Sequence, residues 1–217
     1  MKYLDPDGRV DQESTEHKIQ RIKGQYELMI IGAKVKGWNV AAGNMKHFLN
    51  GTGELLQIDS EWLQKQTTVQ KAISVNISRY DVQFQSLAEN MENGTSITIN
   101  EYPTNPDTAY GPFGNKMGFA TQQTAPIYTD LFYASGTFTL TTFCNVTISK
   151  GEDGKVSTKG TLLHIWWDTY DWHDNSFAEV PGFGNVKDDD ANFLVKTGNA
   201  APFIMRSNWS TEYEKTF

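Results

Sequence analysis

The run HIWWDTYDWHD (164–174) places two histidines, three tryptophans, a tyrosine and three aspartates in eleven positions. Asp168 and Asp171 supply carboxylate acceptors, Tyr170 a phenolic donor, and His173 a group that titrates near neutrality. Together these types suit acid–base work, and they follow directly on the apolar stretch Leu162–Trp167. A competing reading uses the same residues structurally. The aspartates then bond backbone amides in a turn, and the tyrosine packs on a sheet edge. His164, in the middle of the apolar stretch, reads as a packed or surface histidine. Zinc does not suit the run, because the chain has one cysteine and His164 and His173 lack metal-binding helical spacing or a third ligand.

The elements that must position these residues fall in two blocks. Ile19, Ile22, Tyr26, Met29, Ile30 and Ala33 form one helical stripe, with Ser14 as N-cap and Gly37 as stop. A second helix runs from Trp38 to Leu49 and ends at the glycines of NGTG (50–53). A third starts at Asp59 or Ser60 and carries Val69, Ile73, Ile77, Tyr80, Phe84, Leu87 and Met91; the β-branched ISVNIS in its middle invites a break or kink. From residue 95 the pattern alternates, first in TSITINEY and then, after a Pro/Gly-rich loop (102–118), in TFTLTTFCNVTISK (137–150). There Phe138, Leu140, Thr142, Cys144, Val146 and Ile148 share one parity. GEDGK (151–155) turns the chain back into VSTKGTLLHIWWDTYDW, which predicts a β-hairpin.

On that return strand Leu162, His164, Trp166, Asp168 and Tyr170 share one side, and Leu163, Ile165, Trp167 and Asp171 the other. The second set reads as the core-facing one. A short helix capped within Asp188–Asp190 and stopped at Gly198 follows, then an aromatic strand, FIMRSNW. The fold class is α+β, with N-terminal helices packed against a C-terminal antiparallel β-sheet. The expected organisation is a linker over 1–13 and one domain over 14–217, helical in 14–94 and mainly β in 95–217.

Lys plus Arg is 19 against 26 Asp plus Glu, a net charge of −7, which sets nucleic acid aside as a partner. Cys144 sits in the alternating strand and reads as a small core residue. The first residues contain no apolar signal segment, and LMII (28–31), the most apolar run, is too short for a transmembrane span. Phosphate-loop, nucleophile-elbow and zinc-protease motifs are absent.

Two stretches resemble known families. KYLDPDGR (2–9) resembles the closing motif of the Rhs/YD-repeat core, the shell that encloses a variable C-terminal toxin in bacterial polymorphic-toxin systems. That resemblance implies an antibacterial toxin, delivered as a secreted effector to the periplasm or envelope of a target cell and partnered by a cognate immunity protein. HFLNGTG (47–53), the β region after it and DTYD (168–171) resemble the layout of the colicin M family of lipid II-degrading bacteriocins. That family hydrolyses the link between undecaprenol and pyrophosphate with Mg²⁺ present. Its Asp-x-Tyr-Asp carries over to Asp168, Tyr170 and Asp171. Its following His-Arg pair does not: His173 comes sooner, Asp174 follows it, and the nearest downstream arginine is Arg206.

The resemblance therefore implies a hydrolase of a lipid-linked cell-wall precursor. Asp168 and Asp171 would bind Mg²⁺ or position water, and His173 would do acid–base work beside Tyr170. Arg206 is the candidate phosphate partner and Trp172 a candidate substrate contact. Two other classes stay open: a toxin that perturbs membranes through the amphipathic segments 14–49 and 60–91, and a binding module that stacks a ligand on Trp166, Trp167, Tyr170 and Trp172.

Overall fold

The computed structural model describes residues 13–105, 118–172, 177–180 and 184–217. The run KYLDPDGR and His173 lie outside them. The first elements are α1 (Thr15–Val35), α2 (Asn39–Asn50), β1 (Leu56–Gln57), α3 (Ser60–Gln64) and α4 (Thr67–Glu89). Then come β2 (Thr95–Asn100), β3 (Phe119–Thr124), α5 (Asp130–Ala134), β4 (Thr137–Lys150) and β5 (Val156–Tyr170). The last are β6 (Phe177–Val180), β7 (Gly184–Lys187), α6 (Asp188–Lys196) and β8 (Phe203–Thr216). The chain divides into two compact units: Met1–Gly53 with Tyr170–Phe203, and Glu54–Thr169 with Ile204–Phe217.

In the first unit α1 packs on α2 and α6, and β6 and β7 form an antiparallel pair. Ser14 caps α1 as expected, its hydroxyl accepting from the His17 amide. Gly51 ends α2 in the left-handed conformation at φ 70°, which a residue without Cβ adopts at no cost. α6 begins at Asp188 with Lys187 at its N-cap, so Asp188, Asp189 and Asp190 all lie in the first turn, where they face the positive end of the helix dipole.

In the second unit the strand order is β1-β8-β5-β4-β2, with β3 also paired to β4. One edge of β4 carries β5. The other is shared, β2 pairing with Asn145–Lys150 and β3 with Thr137–Thr142. These pairs are antiparallel, whereas β1 runs parallel to β8. The hairpin turns where the sequence predicts: Gly151 N–H donates to Lys155 O, and the Asp153 carboxylate accepts from the Lys155 amide. Gly160 lies opposite Val146, where a Cβ would run into the Asn145 carbonyl oxygen.

Leu163 and Ile165 are buried as expected, but the larger core lies on the other face of β5. Antiparallel register sets Leu140 opposite Trp166, Thr142 opposite His164 and Cys144 opposite Leu162, and directly opposed residues share a face. The buried even residues of β4 therefore carry their even β5 partners with them. Cys144, Val146, Ile148 and Leu162 form one cluster with Tyr80, Phe84, Ala88 and Tyr213. Burying each large side chain of this set contributes about 1.5–3 kcal/mol. Phe143, Leu163 and Ile165 make a smaller cluster with Tyr102 on the odd face. The alternation of β5 alone misleads because both of its faces are covered over residues 162–166.

The third predicted helix is interrupted, but not at ISVNIS. It breaks at Lys65–Gln66, where Gln66 takes extended backbone at ψ 123°. Glutamines satisfy carbonyls at that break: Gln64 Nε2 donates to Ser60 O, Gln66 Nε2 to Trp62 O and Gln70 Nε2 to Gln64 O. ISVNIS stays helical because Asn76 and Tyr80 are buried, so tertiary packing overrides β-branched propensity. Asp81, in the second half of α4, accepts from Tyr213 Oη at 2.5 Å and from Lys215 Nζ at 2.5 Å, which ties the end of β8 to the helix.

Candidate functional site

β5 delivers the Asp-Thr-Tyr-Asp run at its C-terminal end, and each side chain meets a different environment. Asp168 is half-buried, and its Oδ2 accepts from Ser135 Oγ at 2.7 Å. Ser135 ends α5, a five-residue helix capped by Thr129, whose hydroxyl accepts from the Phe132 amide. Both residues belong to the second unit.

Tyr170 belongs to the first unit, in its aromatic core. Its ring stacks on Phe203 at 5.0 Å and 22°, with Phe48 and Trp172 each at 5.9 Å. Burial pushes its phenol well above the ordinary range, so it keeps its proton at neutral pH. Trp172 meets Tyr26 edge to face at 5.8 Å and Phe48 at 5.9 Å. Its ring is therefore a packing partner within this core. Asp171, between these two anchored rings, is exposed.

Arg206 is buried on β8 beside Gln57 of β1, its carbonyl accepting from the Ile58 amide at 2.7 Å. Trp166 is 1% exposed and packs on Phe138, so it offers no ring face to an external ligand. The structure thus brings Tyr170 and Trp172 together and gives Asp168 a partner in Ser135.

His164 is buried between two hydroxyls, Thr142 Oγ1 at 3.0 Å from Nδ1 and Thr211 Oγ1 at 3.0 Å from Nε2. The chain of bonds continues inward. Asn76 Nδ2 donates to Thr142 Oγ1 and to Leu140 O, and Asn76 Oδ1 accepts from Thr121 Oγ1 at 2.6 Å. A single ring proton satisfies the histidine, since one nitrogen then donates and the other accepts. Burial lowers its pKa to about 4. Beside this network Tyr80 Oη donates to Glu101 Oε2 at 2.6 Å. Cys144 is buried as expected, and desolvation pushes its thiol up to about 12, which leaves it unreactive.

Among the described residues no group of three or more His, Cys, Asp or Glu gathers around a point that would hold a metal. Mg²⁺ needs less than that. It takes one or two carboxylates together with water and substrate phosphate, and the oxygens of Asp168 and Asp171 are the hard donors it prefers. Ser135 was not legible as a site residue. Its one sequence signal is the run TDLFYASG (129–136), a capping threonine and a stopping glycine around a helix too short to show a period.

The elements define an α+β protein with N-terminal helices and a mostly antiparallel sheet. No family model and no curated protein matches the chain. Among solved structures it is similar to PaeM, a colicin M-like bacteriocin produced by Pseudomonas aeruginosa, at 14% identity over 82% of this chain and 50% of that one, with a TM-score of 0.42. It is also similar to pectocin M2, at 14% identity over 82% of this chain and 49% of that one, with a TM-score of 0.33. The chain spans about half the length of both.

Proposed function

We propose that the chain is an antibacterial toxin domain that hydrolyses the undecaprenyl–pyrophosphate linkage of lipid II, a lipid-linked cell-wall precursor. The observation that carries this reading is the division of labour within DTYD: Tyr170 is locked into an aromatic core while Asp171, the next residue, is exposed. An anchored tyrosine fixes the backbone from which the carboxylate projects, and catalytic groups need such fixed placement. Asp168, three residues earlier in the chain, is held by Ser135.

In this reading water attacks the linkage and releases undecaprenol and the pyrophosphorylated sugar-peptide. Asp171 positions or deprotonates the water, His173 provides the proton for the leaving group, and Arg206 is assigned to the phosphate. Mg²⁺, when held by Asp168 or Asp171 with the substrate, supplies charge neutralisation at the pyrophosphate. The wider proposal is that the domain is delivered by an Rhs-type effector to the target periplasm, and that a cognate immunity protein protects the producer. Opposite potentials speed association, so that inhibitor is expected to be basic where it meets this acidic chain.

The test is expression in a bacterial cytoplasm against export to the periplasm, together with incubation of the purified chain with lipid II and Mg²⁺. Killing only on export, with undecaprenol released by the wild type and not by Asp171→Asn, supports the reading. Equal killing from the cytoplasm sinks it.

One observation favours a second reading, a membrane-surface toxin. Leu28, Ile31 and Val35 stand exposed on α1 at helical spacing. No helix among the described residues is long and apolar enough to cross a membrane. Dye release from anionic vesicles by both the wild type and Asp171→Asn is the result this alternative requires.

A further inference from the structure

We propose that Ser135 is a positioning residue for Asp168, an assignment that rests on Asp168 belonging to the hydrolytic site. A serine at the end of a helix ordinarily turns its hydroxyl back to a carbonyl of its own last turn. Ser135 instead sends its hydroxyl across 33 residues of sequence to Asp168 Oδ2, at 2.7 Å. A carboxylate oxygen accepts, so the serine donates, at an ordinary distance for an O–H···O bond, about 2.5–3.0 Å.

The backbone that carries the hydroxyl is fixed on both sides. Ser135 N–H donates to Leu131 O at 3.0 Å, closing α5. Gly136 follows at φ 72°, a left-handed turn that sends the chain into β4, and its carbonyl accepts from the Ala125 amide at 2.8 Å. At the other end of the helix Thr129 both caps α5 and donates to Pro126 O. A braced donor of this kind sets the plane of the Asp168 carboxylate. With one oxygen bonded to Ser135, the other is left fewer orientations. Thr129–Gly136 is then a working part of the site, supplied from outside the DTYD run.

The experiment compares the wild type, Ser135→Ala, Ser135→Thr, Asp168→Asn and the double variant Ser135→Ala/Asp168→Asn. All are full chains, scored for periplasmic killing, for lipid II turnover and for thermal midpoint. Ser135→Ala is expected to lower kcat about tenfold to a hundredfold with KM unchanged, the scale of a misplaced catalytic group. Its midpoint should stay near wild type, Ser135→Thr should restore most of the rate, and the double variant should be no slower than Asp168→Asn alone. A merely structural serine would lower the midpoint and leave the kcat of the folded fraction alone, and its effect would add to that of Asp168→Asn. That pattern overturns the proposal, as does full activity of Ser135→Ala or of Asp168→Asn in an otherwise active protein. If killing depends on Asp168 and Ser135 in this way while lipid II stays intact, Ser135 keeps its role and only the substrate is wrong. A wild type that neither kills nor hydrolyses removes the functional reading, and the role of Ser135 with it.

Discussion

Thr142 and His164 face one another across the β4–β5 ladder, the threonine Oγ1 3.0 Å from the imidazole Nδ1. The ring is fully buried, and its other nitrogen meets Thr211 rather than solvent or a carboxylate. Both partners are neutral hydroxyls, so nothing in this arrangement offsets a second ring proton.

Acid should therefore weaken the fold through this residue. Burial holds the folded imidazole's pKa at about 4, against 6.5 for an ordinary histidine, so the unfolded chain takes up the proton first as pH falls. The stabilisation is complete above about 6.5 and is lost between there and 4, roughly 3 kcal/mol in all at 1.36 kcal/mol per pH unit. Urea denaturation at pH 7.5 and pH 5 measures the slope. His164→Gln should flatten it whatever it does to absolute stability, and an unchanged slope would assign the acid sensitivity to other groups.

Asp171 gives the opposite kind of variant. It is exposed, so Asp171→Asn should shift stability by no more than about 0.5 kcal/mol. Loss of a general base or water-positioning group typically costs about 10²–10⁴-fold in rate. An inactive variant with a wild-type melting curve is expected. A variant that melts early and keeps full activity per folded molecule would return the aspartate to a turn-forming role.

Gly160 tests the sheet. A Cβ there would overlap the Asn145 carbonyl oxygen across the ladder, and backbone cannot give way as a flexible side chain can. Gly160→Ala should destabilise by about 1–3 kcal/mol, the range for overpacked positions. Because the clash lies at mid-strand, activity per folded molecule should be unchanged, which a denaturation curve beside a killing assay would show.

What was legible in the sequence was what repeats. The parity of Phe138–Ile148 announced β4, GEDGK its turn, and the stripe through Tyr80 and Phe84 the helix that packs on it. What was not legible depended on partners distant in the chain. The buried face of β5 is set by cross-strand register, which a strand covered on both sides does not display. β3 and α5 were missed because elements of six and five residues are too short to display a period. The same holds for the candidate site. DTYD could be read as a cluster of functional types, but not that its tyrosine is core and its first aspartate is held by Ser135. Side-chain environment is a tertiary property.

Tyr170 separates anchoring from chemistry most directly. Its ring stacks on Phe203 and meets Phe48 and Trp172, while burial keeps its hydroxyl protonated far beyond neutral pH. Tyr170→Phe keeps the ring and removes only the hydroxyl. If the residue acts as an anchor, this variant retains activity within about threefold and stability within about 1.5 kcal/mol, the scale of one hydrogen-bonding group. Tyr170→Ala deletes the ring from a packed aromatic core and should cost about 3–5 kcal/mol, as large aromatic truncations do. It should also lower activity in the fraction that still folds, because the backbone carrying Asp171 loses its fixed point. Melting curves and killing assays on the two variants give four numbers. An inactive, stable Tyr170→Phe would show that the phenol itself takes part in the reaction, and the ring would no longer be only the post from which Asp171 projects.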